Sequence, residues 1–258
     1  SLGCSKNTVD SEFLSGHLIK KGHNVSYGNV QKRSDVIIIN TCGFIGDAKE
    51  ESINTILFAC ALKETHKVEK IIVCGCLSER YKEDLKEEIP LVDAFFGVYE
   101  WKELLEYLDV EMEGSFNQNR VLTTPNHYAY FKISEGCDSL CSYCAIPLIK
   151  GRHISIPMEE LVKHAKDLAN NGVKELIIVA QNTTYYGIDL YNERKIVPLL
   201  KELLKIEKFE WIRLQYAYPN NLPMELIDLM KEEKRICNYI DLPLQHINNS
   251  ILSSMNRN

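Results

Sequence analysis

Three cysteines stand close together in the run Cys137-Asp138-Ser139-Leu140-Cys141-Ser142-Tyr143-Cys144. A loop with this spacing can bend three sulfurs onto one small metal cluster. Soft thiolates select iron–sulfur clusters or zinc over hard cations. A closed structural zinc site takes four ligands, and so does a simple electron-transfer cluster. Beyond Cys144 the next histidine is His153 and the next cysteine is Cys237. The local set therefore stops at three thiolates, which leaves one iron open to a substrate or cofactor. Half of a zinc ribbon and a chance grouping of thiols are the competing readings.

A second trio, Cys4, Cys42 and Cys76, is spread along the first half, each beside a glycine. The elements there predict where these thiols go. Leu2-Gly3-Cys4 reads as the tail of a strand. Asn7 caps a helix to about Lys21, with Val9, Phe13, Leu14 and Leu18 as its apolar stripe. Val36 to Ile39 and Ile71 to Val73 are apolar, β-branched runs expected of strands buried on both faces. Helices are expected over Ile45 to Glu64, Ser78 to Glu88 and Trp101 to Leu108, and a short strand over Ala94 to Val98. This alternation predicts a parallel sheet with helices on both faces. Ligands bind such sheets at the carboxyl ends of the strands. Cys4, Cys42 and Cys76 each follow a strand, so three loops would aim three thiols into one crevice. Each cysteine taken alone is equally a small buried hydrophobe. Cys60 lies inside a helix and Cys74 still within its strand, so both read as packing.

The second half repeats the alternation. Strands are expected at Tyr130 to Ile133, Leu176 to Ala180, Trp211 to Gln215 and Cys237 to Leu242. Helices are expected from Pro157 to Asn171, Ile196 to Ile206, Pro223 to Lys231 and from Asn249 onward. Such a run of β/α units builds a barrel or half-barrel with its active site in the loops after the strands. Polar residues gather there, at Gln181-Asn182-Thr183-Thr184, Gln215-Tyr216 and Gln245-His246; each is also readable as a solvated loop. Cys237 opens its strand at the opposite end and reads as structural. The whole is an α/β chain. Its expected organisation is an N-terminal domain over 1–112, a polar linker over 113–128 and a second domain over 129–258. The first residue is not methionine and the sequence stops just after a helix-like start, so both ends are expected to be cut.

Composition excludes little. The chain has 258 residues, 45% hydrophobic and 26% charged, as in an ordinary globular protein. No apolar run reaches membrane-spanning length and no signal peptide is evident, so the expected location is cytoplasmic. Nine cysteines in such a chain read as ligands or free thiols rather than a disulfide framework. The net charge of −6 gives no overall footprint for nucleic acid and suits a basic protein partner.

The cysteine loop, with aromatic Tyr143 before its last thiol, resembles the signature of the radical S-adenosylmethionine (SAM) enzymes. Ser1-Leu2-Gly3-Cys4-Ser5-Lys6-Asn7 with Asp10-Ser11-Glu12, Asn40-Thr41-Cys42-Gly43-Phe44-Ile45 and Gly75-Cys76-Leu77 resemble the methylthiotransferases within that superfamily. Ile133-Ser134-Glu135-Gly136-Cys137, Ala145-Ile146-Pro147, Gly151-Arg152-His153-Ile154-Ser155, Ala180-Gln181-Asn182-Thr183-Thr184 and Asp241-Leu242-Pro243-Leu244-Gln245-His246 are similar to the branch that modifies a ribosomal protein. The resemblance spans essentially the whole chain. It implies an N-terminal methylthiotransferase domain followed by a radical SAM partial barrel, here C-terminally incomplete. It also implies two [4Fe–4S] clusters, one on Cys137, Cys141 and Cys144 with SAM at its open iron, the other on Cys4, Cys42 and Cys76. The implied activity is methylthiolation of the β-carbon of an aspartate in a small-subunit ribosomal protein. Tyr143, through its backbone, and Gln181 are the expected further SAM contacts. The implied electron donor is of flavodoxin or ferredoxin type.

Three rivals stay open on the sequence. A tRNA adenosine methylthiotransferase has the same cysteine logic and predicts a basic face around the cleft. A two-cluster electron carrier predicts a fourth protein ligand on each cluster. A zinc-stabilised interaction protein predicts zinc in place of iron.

Overall fold

The computed structural model describes residues 1–28, 33–112, 119–220 and 222–257. The chain divides into two compact units, Ser1–Thr123 and Thr124–Asn258. Residues 113–118 of the expected linker lie outside the described residues.

The first unit runs α1 (Ser5–Lys20), β1 (Ser34–Thr41), α2 (Gly46–Glu64), β2 (Val68–Gly75), α3 (Cys76–Glu88), β3 (Ala94–Phe95) and α4 (Trp101–Tyr107). Its strands form a parallel sheet in the order β1-β2-β3. Side chains alternate faces along a strand. Ile71 and Val73 of β2 therefore pack with Ile56, Ala59 and Cys60 of α2 and with Leu77 and Leu85 of α3. Ile72 and Cys74 face the other way, against Leu14 and Leu18 of α1 and Leu104 and Leu105 of α4. Helices thus cover both faces of β2, as its continuous apolar run requires. Cys60 and Cys74 are core residues in this packing.

The expected strand at Leu2 to Cys4 does not form. The Leu2 N–H donates to the Asn40 carbonyl at 2.9 Å. Cys4 is already the N-cap of α1, so the chain turns into a helix before a ladder can develop.

Residues after the undescribed stretch are tied back to α1. The Glu12 carboxylate accepts from Arg120 Nε at 2.8 Å and Nη2 at 2.6 Å, and from the N–H and hydroxyl of Thr123 at 2.6 and 2.8 Å. The Arg120 and Glu12 side chains are 2% and 0% exposed. Removing one partner of a buried ion pair costs about 3–5 kcal/mol, because the other charge stays buried alone. Glu12→Ala should therefore lower the unfolding midpoint of this unit strongly in a denaturant titration. A midpoint within error of the parent would show that this clamp contributes nothing.

The second unit begins with β4 (Tyr128–Lys132) and β5 (Ser134–Glu135), then α5 (Ile146–Lys150), β6 (Ile154–Ser155) and α6 (Met158–Asn170). It continues with β7 (Glu175–Val179), α7 (Ile188–Tyr191), α8 (Ile196–Leu204), β8 (Trp211–Leu214), α9 (Met224–Glu232) and α10 (Asn249–Ser254). β4, β7 and β8 form a parallel sheet in that order. The core is built by Ala129 and Phe131 of β4, Leu176 and Ile178 of β7 and Ile212 of β8, all fully buried. α6 and α8 turn Leu161, Ala165, Leu168 and Leu199, Leu200, Leu203 inward.

The fourth strand expected at Cys237 to Leu242 is a correction. Among the described residues the pairing next to β8 is a single parallel bridge, Ile212 to Ile236. Pro243 has no N–H to extend a ladder, and Tyr239 and Ile240 are exposed rather than packed. The loop after β7 also differs from a solvated one. Asn182, Thr183 and Thr184 are buried, and the Thr183 N–H donates to the Tyr216 carbonyl at 3.1 Å.

Candidate metal centres

In the first unit the cysteines stand where helices begin. Cys4 caps α1, Cys76 is the first residue of α3, and Cys42 lies just ahead of Ile45, the N-cap of α2. Helix N-termini carry partial positive charge and unpaired N–H groups, which favour thiolates. The loops also approach closely. A Cβ placed on Gly3 would lie 2.7 Å from Cys42 Cβ and 3.0 Å from its sulfur, and one on Gly43 would lie 2.7 Å from the Cys76 carbonyl oxygen. Cys42 and Cys76 are buried and Cys4 is partly so. Burial pushes the Cys42 thiol above its ordinary pKa, and the neighbouring Cys4 sulfur adds to the rise, against the Phe44 N–H. Without a metal this thiol keeps its proton, so loading must release it. Cys4 and Cys42 open onto a cavity of about 760 Å³, whose rim also carries Phe44, Ile45, Asp47 and Glu51.

In the second unit the cysteine loop is closed at its base. β5 and β6 pair antiparallel, Ser134 with Ser155 and Glu135 with Ile154. Just above this pair the Cys137 N–H donates to the Gly151 carbonyl at 3.1 Å, and the His153 N–H to Asp138 Oδ1 at 3.1 Å. The Cys144 N–H donates to the Cys141 carbonyl at 3.0 Å, a tight turn between the last two cysteines. Burial raises the Cys144 pKa, opposed by the Ile146 N–H, and the Cys137 and Cys141 sulfurs raise it further. Both neighbouring sulfurs thus lie near enough to Cys144 to act on it.

Two groups beside this loop escape a reading of the sequence. Arg257 is buried, with Nη1 3.0 Å from the Tyr143 hydroxyl and 3.9 Å from the Cys141 sulfur. Its guanidinium lies over the Tyr218 ring at 4.3 Å. The second group is centred on Glu135. Its Oε2 accepts from Lys132 at 3.0 Å and Lys150 at 3.2 Å, and its Oε1 from the Gln181 amide. Burial alone would raise this carboxyl's pKa, but the two ammonium groups outweigh burial and hold it well below the usual carboxylate range. The Lys150 side chain is 3% exposed. Glu135→Gln would leave two cations facing each other in the interior. It should lower the stability of this unit by about 3 kcal/mol, the low end for a broken buried pair, read as a fall in the thermal midpoint. An unchanged midpoint would refute the pairing.

The expected SAM contacts differ in what they offer. The Tyr143 side chain is exposed and its hydroxyl already accepts from Arg257. Gln181 uses its amide on Glu135, while its Oε1 is buried without a partner. A smaller cavity of about 100 Å³ is lined by Cys137, Asp138, Ser139, His153, Asn182 and Tyr185. Burial lowers the His153 pKa despite nearby Asp189 and Asp138, so the ring is neutral and shares a 2.9 Å hydrogen bond with Ser155 Oγ.

The donors suit iron–sulfur clusters and SAM. None of the six thiols is held in a disulfide, and an unpartnered buried amide oxygen stands ready for a donor from a bound molecule. Among the described residues no group of three His, Cys, Asp or Glu side chains is gathered tightly enough to hold a single metal ion. A cube of four irons holds its thiolates farther apart than one ion does.

Comparison with known proteins finds matches in both halves. Residues 1–97 match the family described as "Uncharacterized protein family UPF0004", and residues 131–258 match the Radical SAM superfamily. The ribosomal protein uS12 methylthiotransferase RimO of Flavobacterium johnsoniae is 54% identical, covering 100% of this chain and 59% of that protein. RimO of Phocaeicola vulgatus is 52% identical, covering 100% of this chain and 60% of its own length. The chain thus spans about three fifths of the length of these curated relatives. Among solved structures, the radical SAM methyltransferase TsrM from Kitasatospora setae, with tryptophan and a SAM analog bound, superposes with a TM-score of 0.66 at 14% identity, over 98% of this chain and 59% of that one. The cobalamin-dependent SAM radical enzyme OxsB, with aqua-cobalamin and SAM bound, gives 0.61 at 14% identity, over 96% of this chain and 43% of that one. At that identity the likeness is one of fold. Residues 1–97 thus carry a UPF0004 segment and residues 131–258 a radical SAM segment, and along its entire length the chain is about half identical to these RimO methylthiotransferases.

Proposed function

We propose that the protein is a radical SAM methylthiotransferase that modifies the β-carbon of an aspartate in small-subunit ribosomal protein uS12. The observation that carries this reading is the pair of three-thiol sets, one at the helix N-termini of the first unit and one on the closed loop of the second. Cys137, Cys141 and Cys144 would hold one [4Fe–4S] cluster together with SAM, and Cys4, Cys42 and Cys76 a second. When bound, these groups supply one-electron chemistry, hydrogen abstraction and a methylated sulfur, none of which a side chain can provide.

The chain's own residues set the conditions. The β5–β6 neck fixes the cysteine loop against the sheet. The buried Glu135 network holds Gln181 with one oxygen free for a bound SAM donor. Arg257 sets a positive charge 3.9 Å from the Cys141 sulfur, where it would favour an added electron on a cluster held there. The N-termini of α1 and α3 set partial positive charge beside Cys4 and Cys76. The net charge of −6 suits a basic ribosomal protein as partner. A flavodoxin- or ferredoxin-like protein would deliver electrons. The ribosomal substrate puts the reaction in the cytoplasm, and no helix among the described residues is long and apolar enough to cross a membrane.

The test is mass spectrometry of ribosomal proteins and tRNA from a strain lacking the gene. Loss of a CH2S increment on a uS12 aspartate, restored by the intact gene, is expected. Loss of methylthio-adenosine from tRNA with uS12 unchanged would instead select the tRNA-modifying branch.

A further inference from the structure

We infer, on the reading that Cys4, Cys42 and Cys76 hold a cluster, that Asn7 is the positioning residue that gathers them into one cradle. Asn7 lies in the first turn of α1 and is 1% exposed. Its Nδ2 donates to the Leu2 carbonyl at 3.0 Å and to the Thr41 carbonyl at 2.9 Å. Its Oδ1 accepts from the Cys76 thiol at 3.9 Å. These partners sit on three different segments. Leu2 leads into Cys4, Thr41 directly precedes Cys42, and the third is Cys76 itself. The backbone of Asn7 is held as well, because Asn40 Nδ2 donates to its carbonyl at 3.1 Å and to Ser11 Oγ at 3.0 Å.

The side-chain chemistry explains why asparagine stands there. A carboxamide offers two N–H donors and an acceptor oxygen in one small plane. Aspartate has the same outline but no N–H for the two carbonyls. Serine has a single donor, and glutamine carries its amide one methylene farther out. An asparagine that merely filled the core would need partners on one segment. Asn7 instead meets each of the three segments that carry a thiol, and one of its bonds ends on a sulfur. Groups in this outer position orient metal ligands, and their loss weakens metal binding.

The test uses the intact gene product with Cys137, Cys141 and Cys144 all changed to alanine, so that the remaining triad is read alone. In that background Asn7→Ala and Asn7→Asp should each weaken iron retention under chelator challenge roughly ten- to a hundredfold. Asn7→Asp also adds a negative charge beside the sulfurs. Any cluster it retains should show a lower reduction potential and a changed electron paramagnetic resonance spectrum. In protein with all six cysteines, both variants should keep the iron of the Cys137 triad. Parental iron retention and potential in both variants would overturn the assignment. Loss of the first unit's thermal transition in both would overturn it too, since Asn7 would then be a structural residue only. If the parent with Cys4, Cys42 and Cys76 intact assembles no cluster, while Cys137, Cys141 and Cys144 hold theirs in the unmodified protein, the cluster reading itself fails and the role of Asn7 with it.

Discussion

Changing Cys141 to alanine should remove about half of the iron from the anaerobically purified intact gene product, and changing Cys42 should remove the other half. Two four-iron clusters correspond to roughly eight irons per chain, so each variant should keep about four. The independence follows from where the six thiols lie. Cys4, Cys42 and Cys76 all belong to the unit Ser1–Thr123, and Cys137, Cys141 and Cys144 to Thr124–Asn258. Each unit has its own sheet and its own buried core, so loss of metal from one leaves the other folded. Neither triad can spare a ligand, because two thiolates do not hold a cube that already has an open corner. The apo fold should survive both changes. Cys42 lines an open cavity, so truncating it should leave no enclosed void. Methylthiolation should fall below detection in either variant. If each variant loses all of its iron or none, the triads are not separate sites, and if the metal is zinc, the radical chemistry falls with them.

Much of the first unit was readable because its signals are strong and local. Val36 to Ile39 and Ile71 to Val73 lie inside β1 and β2, and β-branched runs of that kind have few alternatives to a buried strand. The glycine beside each cysteine also pointed to a close approach. What escaped detection is non-local or very short. β5 and β6 are two residues each, too brief for any period to register. The partners of Glu135 lie 3, 15 and 46 residues away in sequence, and Arg257 reaches Tyr143 across 114. No spacing rule links such groups; only the folded sheet does. The segment after Cys237 misled because Tyr239 and Ile240 have strand-like side chains. In the fold they face solvent, and one bridge at Ile236 is what remains of the expected strand. Asn7 was read as a helix cap; the cap is Cys4, and the Asn7 amide turns to the cysteine segments instead.

The narrow neck under the second triad makes Gly136→Ala a damaging substitution for that triad. Gly136 joins β5 to Cys137 and has φ of +74°, a conformation that costs an L side chain about 1–2 kcal/mol. Crowding adds to that strain. A Cβ there would run into the Arg152 carbonyl oxygen and lie 2.9 Å from that of Gly151. These are backbone atoms and cannot swing aside as a flexible side chain would. The neck must open, which breaks the 3.1 Å bond from the Cys137 N–H to Gly151 and shifts the first thiol of the loop. Gly151 provides the control. Its φ of +64° imposes a similar strain, yet a Cβ on it meets nothing within 4 Å. Gly151→Ala should therefore lower the thermal midpoint slightly and keep its iron. Gly136→Ala should lose the iron of this triad, about half the total, keep that of Cys4, Cys42 and Cys76, and no longer bind SAM in a calorimetric titration. Full iron and SAM binding in Gly136→Ala would mean that the loop does not depend on its closed base, and the account of how the fold positions these three thiols would be wrong.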